Sequence, residues 1–286
     1  MCNNIYSDEV LELIKGGYDL HVHTSPSHFR RSLDDFELAR DADHFNMEGV
    51  MIKNHYEPTG ARAIICNRYS GAKTKLYGGI VLNWPVGGIN PYAVESNLKL
   101  GCKIVWMPTR DAANSLIYGD MPGDFFKRPG ISIYDEDGNI KTAVFEVLEI
   151  IKKYDSYIST GHLSINEAID ICKTARKMNV KAILTHPDWE RTVVPLENQL
   201  ELAKIGVLIE KVWMNIADGF ISPENMANSM KTLGSENILM VTDRGQANRE
   251  KPVEGMLEFI DCMLKHGIEK NEIKNMVCYV PRSIVE

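Results

Sequence analysis

The chain holds eight histidines, and five of them sit where chemistry needs them. His21-Val22-His23 closes a short apolar run from Tyr18 to Val22, while His55, His162, His186 and Asp243 lie at or near the ends of other apolar, strand-like runs. Side chains two apart on a strand point the same way, so His21 and His23 can grip one ion together. Neutral imidazole and carboxylate are common ligands for a divalent transition metal, zinc first, with manganese or iron as alternatives. Two buried imidazoles without partners would be costly, and ligation satisfies both.

Each member has a plainer role taken alone, as a turn, capping or hydrogen-bonded core residue. Their recurrence at successive strand ends is what a site explains better. Lys53-Asn54-His55 ends the second run, with Lys53 and His55 facing one way by alternation. His55 reads as an additional ligand. Lys53 could hold a substrate anion, pair with a carboxylate, or bind CO2 as a carbamate if its pKa is depressed. His162 falls between a strand and a helix cap, and Pro187 turns the chain out of its strand just after His186. Asp243 follows the last strand, where a carboxylate can ligate a metal and take a proton from water. Glu210 interrupts the apolar run Val207 to Val212 and needs a partner, either Lys53 or the site itself. Arg110 and Arg244 follow strands and could fork onto a carboxylate or phosphate of the substrate, or else bind backbone and acidic loop residues. His28, His44 and His266 read as bystanders.

The elements that must carry these residues alternate from end to end. Strand-like segments cover 18–23, 49–55, 75–82, 102–108, 157–161, 180–185, 207–213 and 237–242, mostly without clean alternation, as parallel strands covered on both faces require. Helical patterns lie between them. Ser164-Ile165-Asn166-Glu167 is a capping box opening one helix. Ser222-Pro223-Glu224 opens another, ended by Gly234, and Gly267 closes a third. Weaker patterns cover about 33–46, 59–70, 91–100, 142–153 and 196–205. Eight strands alternating with eight helices predict a (β/α)8 TIM barrel, whose sites draw on many strand ends, rather than a doubly wound sheet with one crevice. The segment 109–141, after the fourth strand, departs from the rhythm. It contains Met121-Pro122-Gly123-Asp124, the pair Phe125-Phe126 and a predicted hairpin from Ile131 to Ile140. As an inserted loop over the barrel mouth it reads as a partial lid or a homo-oligomer contact.

Composition bounds the rest. With 286 residues, 44% hydrophobic and 25% charged, the chain reads as one globular domain over 1–286 that carries the metal site. A net charge of −7 argues against a nucleic-acid surface. No run approaches the ~20 apolar residues of a membrane span. The start Met1-Cys2-Asn3-Asn4 lacks a basic region before an apolar run, so the expected location is cytoplasmic. The six cysteines show no Cys-x-x-Cys spacing and read as reduced core thiols.

In their order, His21-Val22-His23, Gly161-His162, Thr185-His186-Pro187 and Thr242-Asp243 resemble the amidohydrolase superfamily, including its phosphotriesterase-like branch. The tail Met276 to Val285 is similar to the superfamily's closing "NPARLLG"-type segment, with departures. The resemblance implies a barrel with one or two divalent ions at the C-terminal strand ends. The ions activate water to cleave an amide, lactone, ester or phosphoester bond of a small molecule. By position, His21, His23 and Asp243 would hold one metal, and His162 and His186 a second ion or its substrate side. Asp243 would be the general base, and Lys53 and Arg110 would position an anionic or polarised substrate. The chain departs from the bridged binuclear pattern: Cys102 to Arg110 offers no Glu, and Lys103 comes too early in the strand. Decarboxylation or isomerisation on a similar barrel is an alternative. A PHP-type phosphoesterase is another, although Asp243-Arg244-Gly245 lacks that family's closing Asp-x-His. A decayed, non-catalytic metal scaffold ranks last.

Overall fold

The computed structural model describes residues 6–119 and 127–286. Nine parallel strands appear: β1 Tyr18–Val22, β2 Gly49–Ile52, β3 Lys75–Tyr77, β4 Gly79–Val81, β5 Ile104–Trp106, β6 Tyr157–Ser159, β7 Lys181–Leu184, β8 Val207–Val212 and β9 Ile238–Val241. They form two ladders, β1-β2-β3 and β4 through β9 in sequence order. The expected strand 75–82 is split into β3 and β4 at Gly78. The cause lies at Gly79, whose ladder groups go to Thr59 instead. The Thr59 amide donates to the Gly79 carbonyl at 3.0 Å and Gly79 N–H donates to Thr59 Oγ1 at 2.9 Å.

The ring closes between the end of β9 and β1. Asp243 N–H donates to the His21 carbonyl at 2.9 Å, and His23 N–H donates to the Arg244 carbonyl at 2.8 Å. Counting β3 and β4 as one strand, this is the eight-stranded parallel barrel that the alternation predicts. Leu20, Met51, Val81, Trp106, Ile183 and Val241 pack in an inner cluster, joined at its base by Ile284 and Val285. Residues of the other parity, such as Val50, Val105, Ala182 and Met240, pack outward on the helices.

All eight expected helices are present, from Asp35–His44 to Pro252–Lys265. The Ser164–Glu167 capping box is formed in both directions, and Ser222 caps the helix Pro223–Leu233. Short helices at Asp8–Ile14, Ala113–Ile117, Trp213–Ala217, Lys270–Lys274 and Val280–Val285 add to them. The hairpin expected over Ile131–Ile140 reduces to a single antiparallel bridge between Tyr134 and Ile140. The Asp135 carboxylate takes the N–H groups of Asp137 and Asn139, so a side-chain turn replaces the ladder. Ile131 pairs instead with Ala112. The expectations for Met121 to Asp124 and for Phe125-Phe126 lie outside the described residues. No helix among the described residues is long and apolar enough to cross a membrane.

Candidate metal centre

A β-bulge sets the site. Asp19 pairs with Val50 and Val22 with Ile52, so three steps along β1 face two along β2. Leu20 points inward and Val22 outward, and the extra step turns His21 inward as well. Bulges recur beside active sites because they re-aim side chains in this way. Asp19 holds the bulge: its Oδ1 accepts from the N–H groups of His21 and Thr242, each at 3.2 Å, and its Oδ2 accepts from the Thr242 hydroxyl at 2.5 Å.

Three donors then converge. Asp243 Oδ1 lies 3.3 Å from His21 Nε2 and 3.0 Å from His23 Nε2. One atom from each of His21, His23 and Asp243 falls within 4.8 Å of the others. Donors bonded at ~2.0–2.1 Å to one tetrahedral ion sit roughly 3.3–3.4 Å apart, close to this spacing. Burial pushes the His23 pKa down to about 3, so its imidazole is neutral and offers a lone pair. Burial opposes ionisation of Asp243, but His21, His23 and Lys53 outweigh it and hold the carboxyl well below its usual range. Asp243 has a left-handed backbone, φ 53°, uncommon for a residue with a side chain and typical of places where geometry is imposed. The loop after it passes so close to β1 that a Cβ on Gly245 would fall 1.7 Å from the His23 carbonyl oxygen; only glycine fits. This cluster fits a divalent metal site.

Further contacts orient the triad. Glu210, inward on β8, lies 3.3 Å from His21 Nδ1 and accepts from the His186 N–H at 3.2 Å. A proton on Nδ1 shared with Glu210 leaves the Nε2 lone pair free for a ligand role. Lys53, inward from the end of β2, puts Nζ 2.8 Å from His21 Nε2 and 5.4 Å from the Trp106 ring centroid. Burial lowers its pKa, against the pull of Asp243 and Glu210.

His55, His162 and His186 ring the same cavity, of about 380 Å³, without joining the close triad. His55 stacks on His23 with ring centroids 4.9 Å apart, and His162 lies 5.1 Å from His186. Thr192 Oγ1 donates to the His186 carbonyl at 3.0 Å and sits 2.9 Å from His186 Nδ1. Its one proton being used, it accepts from Nδ1–H, and Nε2 carries the lone pair. His186 has a positive φ of 27°, and burial takes its pKa down to about 4. Gly161, φ 60°, brings the turn before His162 against the Met107 carbonyl, where a Cβ would lie at 2.3 Å.

Two sequence expectations change. Arg244 is not at the cavity: its guanidinium is buried, with Nε donating to Glu250 at 2.6 Å and Nη2 to Asp218 at 3.2 Å. Alternation explains this, since Asp243 points inward and its neighbour must point out. Glu210 is likewise fully buried beneath the histidines, a partner of His21 rather than a substrate contact. Arg110 does line the cavity. Sequence reasoning missed Arg31 and Trp189, also in its wall, because loop residues show no period. It also missed Asp19, whose place inside a strand could have flagged it as a buried carboxylate needing partners.

An amidohydrolase from Pseudomonas aeruginosa is similar in structure at a TM-score of 0.66 and 12% identity, over 96% of this chain and 97% of that one. The probable dipeptidase PvdM from the same organism gives 0.65 at 10% identity, over 96% of each chain. YJJV, a TatD homologue from Escherichia coli K12, gives 0.57 at 12% identity, over 95% and 98%. At this level of identity the likeness is one of fold: all share the parallel βα barrel. No curated protein matches the sequence. The family described as "Family of unknown function (DUF6282)" matches residues 16–210, more than half of the chain, which makes the protein a member of DUF6282.

Proposed function

We infer that the protein is a metal-dependent hydrolase of a small-molecule substrate. The observation that carries the reading is the approach of Asp243 Oδ1 to within 3.0 and 3.3 Å of two buried imidazole nitrogens. His21, His23 and Asp243 would hold one divalent ion, zinc before manganese or iron. Trp106 supports a single ion: it is the inward residue at the end of β5, where a bridging carboxylate or lysine would otherwise stand. When bound, such an ion supplies Lewis acidity, polarising the scissile bond and making water more acidic.

The chain's own residues do the remainder. The Asp243 carboxylate, kept ionised by its neighbours, accepts the proton of the attacking water and returns it to the leaving group. Lys53 carries a positive charge to the floor of the cavity, where charge builds on the substrate oxygen. His55, His162 and His186 present imidazoles around the reacting centre and orient the bound group. The bond cleaved is an amide, lactone, ester or phosphoester.

We read the described residues 109–119 and 127–141 as an insertion beside the mouth. Asn114 supports this, since its side-chain amide donates to the carbonyls of His162 at 3.2 Å and Arg191 at 2.7 Å, on the loops after β6 and β7.

The test is the metal content per chain of protein purified without added metal, in the wild type and in the His21→Ala/His23→Ala double variant. About one transition-metal ion, lost in the variant, is expected. Absence of metal from the wild type, even after incubation with zinc or manganese, removes the mechanism.

A further inference from the structure

The cavity is positive in an acidic protein. Arg31, Lys53, Arg110, Arg191 and Arg249 reach its wall, against Glu190, Asp218 and Asp243. Two of those carboxylates are already engaged, Asp218 with Arg244 and Arg249, and Asp243 with His21 and His23. The chain as a whole carries a net charge of −7, so this local excess runs against composition. A cleft of one sign with low-dielectric walls concentrates ligands of the other.

Two of these cations, Arg31 and Arg110, are organised by one aromatic ring. Phe29 lies 4.0 Å from the Arg110 guanidinium carbon and 5.4 Å from that of Arg31, measured from its ring centroid. It stands edge-on to His55 at 6.0 Å, and His55 stacks on His23. A continuous line of contacts thus joins both guanidiniums to the candidate metal ligands. Arg31 is held in place by its backbone, which bridges to Gln246 in the loop that carries Asp243, while Ser32 N–H donates to the Gly245 carbonyl at 2.9 Å. Its Nε–H is buried and has no hydrogen-bond partner. A buried guanidinium N–H without an acceptor is costly, and a ligand oxygen satisfies it. A guanidinium can grip a carboxylate or phosphate with two parallel N–H groups.

We propose that Arg31 and Arg110, set about Phe29, form the seat for an anionic group of the substrate, so that the protein acts on a small organic acid or phosphate. The anionic group lies at the Phe29 side of the cavity and the bond to be cleaved lies over Asp243. Trp189, Met214 and Phe220, on other parts of the wall, take the apolar body. This rests on the hydrolase reading for the reaction, but the seat itself is testable without turnover.

The experiment is calorimetric titration of inorganic phosphate and of succinate into the protein as purified, with metal content measured on every sample. Wild type is compared with Arg31→Met, Arg31→Lys and Arg110→Met, and with Arg40→Met, an exposed arginine on the helix Asp35–His44, as the control. At least one anion should bind the wild type. Arg31→Met and Arg110→Met should each weaken it about tenfold or more, Arg31→Lys should fall between because it keeps charge but loses the fork, and Arg40→Met should change nothing. The tighter of the two anions names the head group. No binding by the wild type, or equal binding by folded Arg31 and Arg110 variants, overturns the seat. If Arg31→Met does not fold, Arg31→Lys and Arg110→Met decide. Metal present with inert arginine variants removes the seat alone; an arginine effect in protein that never takes up metal keeps the seat and removes the hydrolase.

Discussion

Lys53 Nζ lies 2.8 Å from His21 Nε2, the nitrogen that also faces Asp243. An ammonium so placed donates to the lone pair that an ion needs, and it repels the ion. Binding metal at His21 therefore displaces Lys53 toward the cavity. Lys53→Met should tighten metal binding, by roughly 10- to 150-fold if one charge-assisted hydrogen bond is lost at ~1.5–3 kcal/mol. It should also slow turnover, since the charge over the substrate is gone. Competition titration with a chelating dye measures the first effect. Weaker metal binding in Lys53→Met would instead mean that Lys53 contributes a ligand, as a carbamate would.

Glu210 acts through His21. It is fully buried, and its Oε2 meets His21 Nδ1 at 3.3 Å. Glu210→Gln replaces an acceptor with a group that can also donate. Its amide oxygen still accepts from His186 N–H and His21 Nδ1–H, but without the negative charge it makes the His21 ring a poorer donor to an ion. Metal affinity should fall about 10–100-fold, the usual cost of losing such an outer partner. The far-ultraviolet circular dichroism should stay as in the wild type. Unchanged metal affinity in a folded Glu210→Gln protein would show that the Glu210 charge does not tune His21.

The triad and the barrel were both legible because they rest on patterns that survive in one dimension. His21 and His23 are two apart, Asp243 follows the last apolar run, and strand and helix periods alternate. What the sequence hid depends on the third dimension. The bulge before His21 is a mismatch of counts between β1 and β2, visible in neither strand alone. Arg31 sits in an aperiodic loop and reaches the site through its bridge to Gln246, 215 positions away by number (246 − 31). For Arg244 the sequence leaves open a substrate contact or an acidic partner, and the structure sends it outward into the helix layer, where a Cβ on Gly255 would lie 3.2 Å from its Cγ.

Asp243 combines two roles, ligand and proton acceptor. Asp243→Asn keeps its shape and an oxygen but removes the charge and the basicity. Turnover should drop by about 10²–10⁴, the usual contribution of a positioned acid–base group, or further if metal is also lost. Stability near neutral pH should fall, because His21, His23 and Lys53 favour the ionised carboxylate and the neutral amide forgoes that attraction. The comparison is steady-state rate against thermal midpoint on the same samples. Wild-type turnover in Asp243→Asn would remove this residue from the mechanism.

Behind Asp243 stands Asp19, which never reaches the cavity. Its two oxygens accept three hydrogen bonds, from His21 N–H, Thr242 N–H and the Thr242 hydroxyl, at the point where the bulge interrupts the closing ladder. Asp19→Ala would leave two buried N–H groups and a hydroxyl without an acceptor. At ~1–3 kcal/mol for each unsatisfied group, with part recovered by relaxation, a loss of about 2–4 kcal/mol is expected. Asp19→Asn keeps one carbonyl oxygen for the two N–H groups and should lose less. Urea denaturation gives both values. Metal content separates support from bystander, because a bulge that drifts also turns His21 away: Asp19→Ala should bind metal more weakly under conditions where it remains folded. An Asp19→Ala protein with wild-type stability and full metal would mean that the backbone alone fixes His21 and that the buried carboxylate is dispensable.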